Sequence, residues 1–243
     1  MAVLTVEFRS EILEKSMKIK VIVNESAKPP YPTFYLLHGL SDDESAWTRQ
    51  TSLERYAKEY SFLIVMPDGA RSWYCDSKLG MYESYITRDL VRFVDKLFPT
   101  RKQAKYRAIG GLSMGGYGAM KLGLKFPKLF GSISSHSGAI GYMRWAEKVT
   151  DIKETPVILD GMDVQANDPY ELALKVPEKI RPNIYFDCGR QDFLYEDNQS
   201  FDALLHKNCI PHTYNRFDGA HEWSYWDIHI QDALKFHASA MAL

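Results

Sequence analysis

The chain has 243 residues, 45% hydrophobic and 25% charged, which is ordinary globular usage and enough to bury one sizeable core, so one domain over 1–243 is expected. With 30 basic and 31 acidic residues the formal net charge is -1, which gives no bulk attraction toward nucleic acid or an anionic membrane and points to a small-molecule partner. No secretory pattern opens the chain, no apolar run reaches membrane-spanning length, and Cys75, Cys188 and Cys209 form no C-x-x-C pair, so a cytoplasmic protein with free thiols is the expectation.

Val3 to Phe8 and Met17 to Val23 alternate apolar and polar residues, which predicts an antiparallel strand pair. Thr33 to Leu37 and Phe62 to Met66 are short unbroken apolar runs, the pattern of strands buried on both faces of a parallel sheet. Between them Leu53, Tyr56, Ala57 and Tyr60 recur at helical spacing behind a Thr51 or Ser52 cap. A second helix follows from Ile86, Leu90, Phe93, Val94 and Leu97 and stops before Pro99; the next strand ends at Ile109. A helix is expected from Tyr117 to Phe126, strands over Leu129 to Ser135 and Ile184 to Cys188, and helices over Asn198 to His206 and Tyr225 to Phe236. This alternation predicts an α/β protein with a mostly parallel sheet and helices on both faces. Residues 139–179 break it, with a turn at Pro156 and a helix start at Asn167-Asp168-Pro169, and read as a small insertion over the carboxyl edge of the sheet.

Gly111-Leu112-Ser113-Met114-Gly115 matches G-x-S-x-G, in which small residues let a serine sit on a strained strand-to-helix turn with its hydroxyl exposed. A serine hydroxyl near neutral pH needs a base, and the base needs an orienting acid. His221, in the loop Asp218 to Trp223 after the strand Thr213 to Phe217, is the expected base; His38 and His136 end strands at the same edge and stand as alternatives. Asp192 is the expected acid because it lies beyond its strand, whereas Asp187 falls within it and is expected only to cap nearby backbone. Two backbone donors for a tetrahedral oxyanion would come from Met114 and from Leu40 in the loop after the third strand. Trp73 and Trp223 are candidate pocket residues, with Tyr74 and Trp145 beside them.

These motifs together resemble the esterase D (putative esterase) group of α/β-hydrolases, which includes tributyrin-type and feruloyl-type esterases, S-formylglutathione hydrolases and mycolyltransferases. The matching segments are Leu36 to Ser41, Met66-Pro67-Asp68-Gly69, Gly111 to Ala119, Cys188-Gly189 through Asp192-Phe193, and Gly219 to Trp223. The resemblance implies an α/β-hydrolase fold, with Ser113 as nucleophile, His221 as base, Asp192 as its orienter, and Leu40 and Met114 as oxyanion donors. Trp47 and Arg71-Ser72-Trp73-Tyr74 look most like the small bacterial tributyrin-type carboxylesterases, and Ser41-Asp42-Asp43 departs from the cysteine-containing loop usual in formylglutathione hydrolases. Members of the group commonly form homo-oligomers.

The expected activity is hydrolysis of short-chain acyl esters through an acyl-enzyme. It requires no cofactor, and the histidines lack H-E-x-x-H or comparable metal spacing. The rival readings are a formylglutathione-type thioesterase, an acyltransferase that excludes water, and a binding module that has lost its chemistry.

Overall fold

The computed structural model describes residues 1–243. In chain order the strands are β1 (Ala2–Ser10), β2 (Lys15–Val23), β3 (Thr33–Leu37), β4 (Leu63–Pro67), the two-residue β5 (Asp76–Ser77) and β6 (Gly80–Met81), β7 (Arg107–Leu112), β8 (Ser132–His136), β9 (Asn183–Gly189) and β10 (Thr213–Phe217). The helices are α1 (Ala46–Gln50), α2 (Leu53–Tyr56), α3 (Tyr82–Ser84), α4 (Val91–Leu97), α5 (Met114–Lys125), α6 (Tyr142–Trp145), α7 (Thr155–Leu159), α8 (Pro169–Lys175), α9 (Tyr195–Lys207) and α10 (Trp223–Ala240). Eight strands make one sheet in the order β1-β2-β4-β3-β7-β8-β9-β10; β2 pairs antiparallel with β1 and β4, and every other pairing is parallel.

The unbroken apolar runs are explained by burial on both faces. Tyr35 and Leu37 of β3 face a core shared with α4, α5, α8 and α9, while Phe34 and Leu36 face a second core under α2 and α10. Each such side chain, fully removed from water, contributes about 1.5–3 kcal/mol, so neither face tolerates a polar alternation.

Several boundaries differ from the sequence expectation for identifiable reasons. β7 continues past Ile109 to Leu112 because Gly110 and Gly111 remain in register with Ser134 and Ser135; they are glycines of close approach, not of chain reversal. A Cβ on Gly111 would lie 2.6 Å from the Gly115 backbone. α5 accordingly begins at Met114 rather than Tyr117, and β8 begins only at Ser132. Before α2 it is the Thr51 hydroxyl, not Ser52, that accepts the Leu53 N–H, at 3.2 Å. Leu97 is the exposed last residue of α4 rather than part of its buried face, and Tyr85–Leu90 ahead of it is a π-helical stretch, which shifts the side-chain phase. Pro156 lies in the first turn of α7, where its missing N–H removes no intrahelical bond, so it starts a helix instead of making a turn. Asp168 caps α8 as its position suggests, accepting the Tyr170 N–H at 3.0 Å.

α5 is anchored from behind by charge. Lys121 is fully buried, and its Nζ donates to Glu83 Oε2 at 3.0 Å and to the Tyr74 carbonyl at 2.6 Å, while Lys125 reaches Glu83 Oε1 at 2.8 Å. Burial alone would raise the Glu83 carboxyl; the two ammonium groups outweigh it and hold the carboxyl below its ordinary 4.5. A depressed folded-state value contributes stability that is complete above the ordinary value and lost as pH falls through the depressed one. Glu83→Gln is therefore expected to destabilise the protein by about 3 kcal/mol at neutral pH, because Lys121 stays buried without a counter-charge. Urea unfolding at pH 7 and across the acidic limb checks this: the variant should also lose part of the acid sensitivity of the wild type, and an unchanged midpoint would contradict the anchoring role.

Candidate active site

The centre of the site is built by backbone crowding. Ser113 sits between β7 and α5 at φ 53° and ψ -116°, a conformation that side-chain-bearing residues rarely adopt. Its N–H donates to the His136 carbonyl at 3.0 Å, and its own carbonyl accepts from Tyr117 and Ala139 at 3.0 and 3.1 Å. A Cβ on Gly115 would fall 2.6 Å from the Leu37 and His38 carbonyl oxygens, so the start of α5 can rest on the end of β3 only as glycine. Gly118 performs the same service against the Tyr74 ring, which a Cβ would approach to 2.4 Å.

His221 and Asp192 arrive from the ends of β10 and β9. The Ser113 hydroxyl lies 3.0 Å from His221 Nε2, and His221 Nδ1 lies 2.9 and 3.1 Å from the two Asp192 oxygens. A carboxylate can only accept, so Nδ1 carries the ring proton and Nε2 is left to accept from the serine. Asp192 also accepts the Leu194 N–H at 2.8 Å. Burial works to raise the Asp192 carboxyl, but the hydrogen bond and charge of His221, with the Leu194 N–H, hold it below the usual carboxylate range. It is therefore ionised at neutral pH beside a half-buried imidazole.

The alternative histidines are otherwise engaged. His38 Nδ1 donates to the Gly39 carbonyl at 2.7 Å and its Nε2 accepts the Gly69 N–H at 2.9 Å, which occupies both nitrogens in holding two loops. His136 Nδ1 bonds Asp187 at 2.7 Å with both side chains fully buried. Asp187 takes a second bond from the Tyr225 hydroxyl at 3.0 Å, so it pairs side chains across the sheet and does not cap backbone as its position had suggested. His237 bridges the Ser132 and Ser134 hydroxyls and is lowered to about 3 by burial and by His136, which keeps it neutral.

Met114 directly follows Ser113, and Leu40 follows Gly39, at which a Cβ would lie 3.9 Å from Ser113 Cβ. The Leu40 N–H bonds no other group of the chain, and Met114 opens α5, where first-turn N–H groups lack an intrahelical acceptor. A cleft of about 530 Å³ runs from Leu40 and Ser41 past Ala70 and Tyr82 to the Arg71–Glu154 ion pair, in which the guanidinium contacts both carboxylate oxygens at 2.6 and 3.0 Å. Trp73 does not line it: it is buried, stacked face to face on Tyr142 at 3.4 Å. Trp223 is half-buried, edge-on to Trp47 and Trp226. Two aromatics that sequence reasoning passed over stand directly on His221: Trp226 edge-on at 4.9 Å and Phe193, 77% exposed, at 4.5 Å. The signal for Phe193 was its place next to Asp192; Trp226 gave none beyond an aromatic on a helix face.

The family described as "Putative esterase" matches residues 10–237. An acetyl esterase of Caldicellulosiruptor saccharolyticus is 27% identical over 97% of this chain and 98% of its own length. The structure of a Staphylococcus aureus fluorophosphonate-binding serine hydrolase with substrate bound superposes with a TM-score of 0.88 at 29% identity, over 97% of this chain and 98% of that one. An S-formylglutathione hydrolase of the same organism gives 0.85 at 28%, with the same coverage. The mostly parallel sheet with helices on both faces is thus the α/β-hydrolase fold.

The strain at Ser113 is measurable apart from any reaction. Ser113→Gly places the one residue at ease with this backbone at the turn, and a gain of about 1 kcal/mol in unfolding free energy is expected. Equal or lower stability of the variant in urea would mean the turn is not strained.

Proposed function

The chain belongs to the putative esterase family, and from that premise we propose that it is a serine carboxylesterase acting on short-chain acyl esters, of the small bacterial tributyrin type. The observation that carries the proposal is the unbroken hydrogen-bond chain from the Ser113 hydroxyl through His221 to the ionised Asp192.

In the proposed reaction Ser113 Oγ attacks the ester carbonyl as His221 Nε2 takes its proton. Asp192 keeps the imidazole in the Nδ1–H tautomer and stabilises the imidazolium that forms. Charge developing on the carbonyl oxygen is met by the Leu40 and Met114 N–H groups, a type of donor whose removal costs about 10²–10³ in rate. The imidazolium returns its proton to the departing alcohol, and a water activated by the same nitrogen releases the acid from Ser113. Of the proposed machinery Leu40 alone lines the cleft of about 530 Å³, so a small ester would lie between that cleft and Ser113.

A thioester substrate is the second reading, favoured by the formylglutathione hydrolase likeness. Against it, the loop after β3 reads Ser41-Asp42-Asp43 and puts the Asp42 carboxyl on the cleft, which disfavours an anionic glutathione conjugate there.

Turnover of p-nitrophenyl esters from acetate to decanoate, beside S-formylglutathione, tests the proposal. Short esters should be preferred over both long esters and the thioester, Ser113→Ala should abolish turnover, and Asp192→Asn should lower kcat by about 10⁴-fold through the wrong tautomer. Full activity of Ser113→Ala, or inactivity of the wild type on every ester, would refute it.

A further inference from the structure

At the sheet edge opposite Ser113 three side chains converge that the esterase chemistry does not use. Asp202 and His206 stand one turn apart on α9, and His212 follows two residues after Ile210 on the approach to β10. His212 Nε2 lies 2.8 Å and His206 Nε2 3.3 Å from the same oxygen, Asp202 Oδ1, and one ligand atom from each of the three falls within 4.8 Å of the others.

The orientation of His212 gives the cluster its character. Its Nδ1 lies 2.7 Å from the Ile210 carbonyl, which can only accept, so Nδ1 donates there; Nε2, 2.8 Å from Asp202 Oδ1, donates to that carboxylate and would release its proton on binding a cation. A backbone carbonyl on the far nitrogen is the arrangement that orients an imidazole toward a cation. The ring is further fixed by near-parallel stacking on Phe186 and is almost fully buried, whereas His206 is 73% exposed and free to adjust. Ligand bonds of about 2.0–2.2 Å in a tetrahedron put donor atoms about 3.3–3.5 Å apart; the 3.3 Å between His206 and Asp202 already fits, and the 2.8 Å between His212 and Asp202 would open slightly.

We propose that Asp202, His206 and His212 form a binding site for a divalent transition-metal ion of the zinc class, clamping the end of α9 to the start of β10. Two imidazoles and one carboxylate suit such an ion better than Mg²⁺ or Ca²⁺, which take oxygen ligands. The fourth position faces solvent through His206. Because the cluster lies away from the carboxyl edge that carries Ser113, zinc raises thermal stability without being needed for turnover.

Calorimetric titration of the metal-stripped full chain with Zn²⁺ tests the site. One saturable equivalent is expected, with a higher Tm in its presence. His206→Gln and Asp202→Asn should each weaken binding at least about tenfold, the loss that even an outer-shell partner carries, while Cys209→Ser, at the exposed cysteine of the same turn, should bind as the wild type does. His206 is exposed, so its variant keeps the fold, and circular dichroism verifies that. No saturable binding, wild-type affinity in His206→Gln and Asp202→Asn, or loss of binding in Cys209→Ser would overturn the proposal.

Discussion

At Ser113 the backbone is forced to φ 53° by three segments that leave it no other path: β7 entering, α5 leaving, and the end of β3 beneath. The clearance is set by two glycines, Gly111 and Gly115, whose missing Cβ atoms allow backbone to pass backbone at distances no other residue permits. The parallel register of β3, β7 and β8 therefore fixes the serine, because Leu37 pairs with Gly111 and Gly111 with Ser135. A slip of one residue would turn the alternation of both cores inside out, so burial on the two faces and the geometry of the turn specify the same register.

Two aspartate–histidine pairs have their aspartates, Asp187 and Asp192, in and just beyond β9, and their surroundings give them different tasks. His136 and Asp187 are sealed from solvent, and Tyr225 adds a second donor to the carboxylate; the pair joins β8, β9 and α10 beneath the site. His221 and Asp192 lie at the strand ends, where the imidazole is half-open and its free nitrogen meets a hydroxyl. The proposed catalytic role falls to the second pair because a substrate and a proton can reach it. The anchoring of α5 through Lys121 and Glu83 completes the platform, since the helix that begins at Met114 can then hold its first N–H groups in place.

Most of this was legible in the sequence. The strand order could not be read, but the alternation of apolar runs and helical faces gave the sheet class, and G-x-S-x-G with histidine and aspartate after later strands gave the three side chains that the fold brings together. What escaped depends on partners distant in sequence. Gly110 and Gly111 read as the end of a strand because glycine signals a turn unless the packing neighbours are known, and here they are Ser134 and Phe34 for Gly110 and Gly115 for Gly111. Asp187 read as a local cap because His136 and Tyr225, 51 and 38 residues away, are invisible to local pattern. Trp73 read as a pocket wall, while its stacking on Tyr142 depends on how residues 139–179 fold back, through short helices that carry little periodicity of their own.

Reaction with a phosphonylating probe tests whether Ser113 alone among the serines is activated and whether His221 activates it. Intact mass and peptide mapping give the stoichiometry and the position. A single adduct on Ser113 is expected in the wild type and almost none in His221→Ala under the same conditions. An adduct on any other residue, or undiminished labelling of His221→Ala, would contradict that activation.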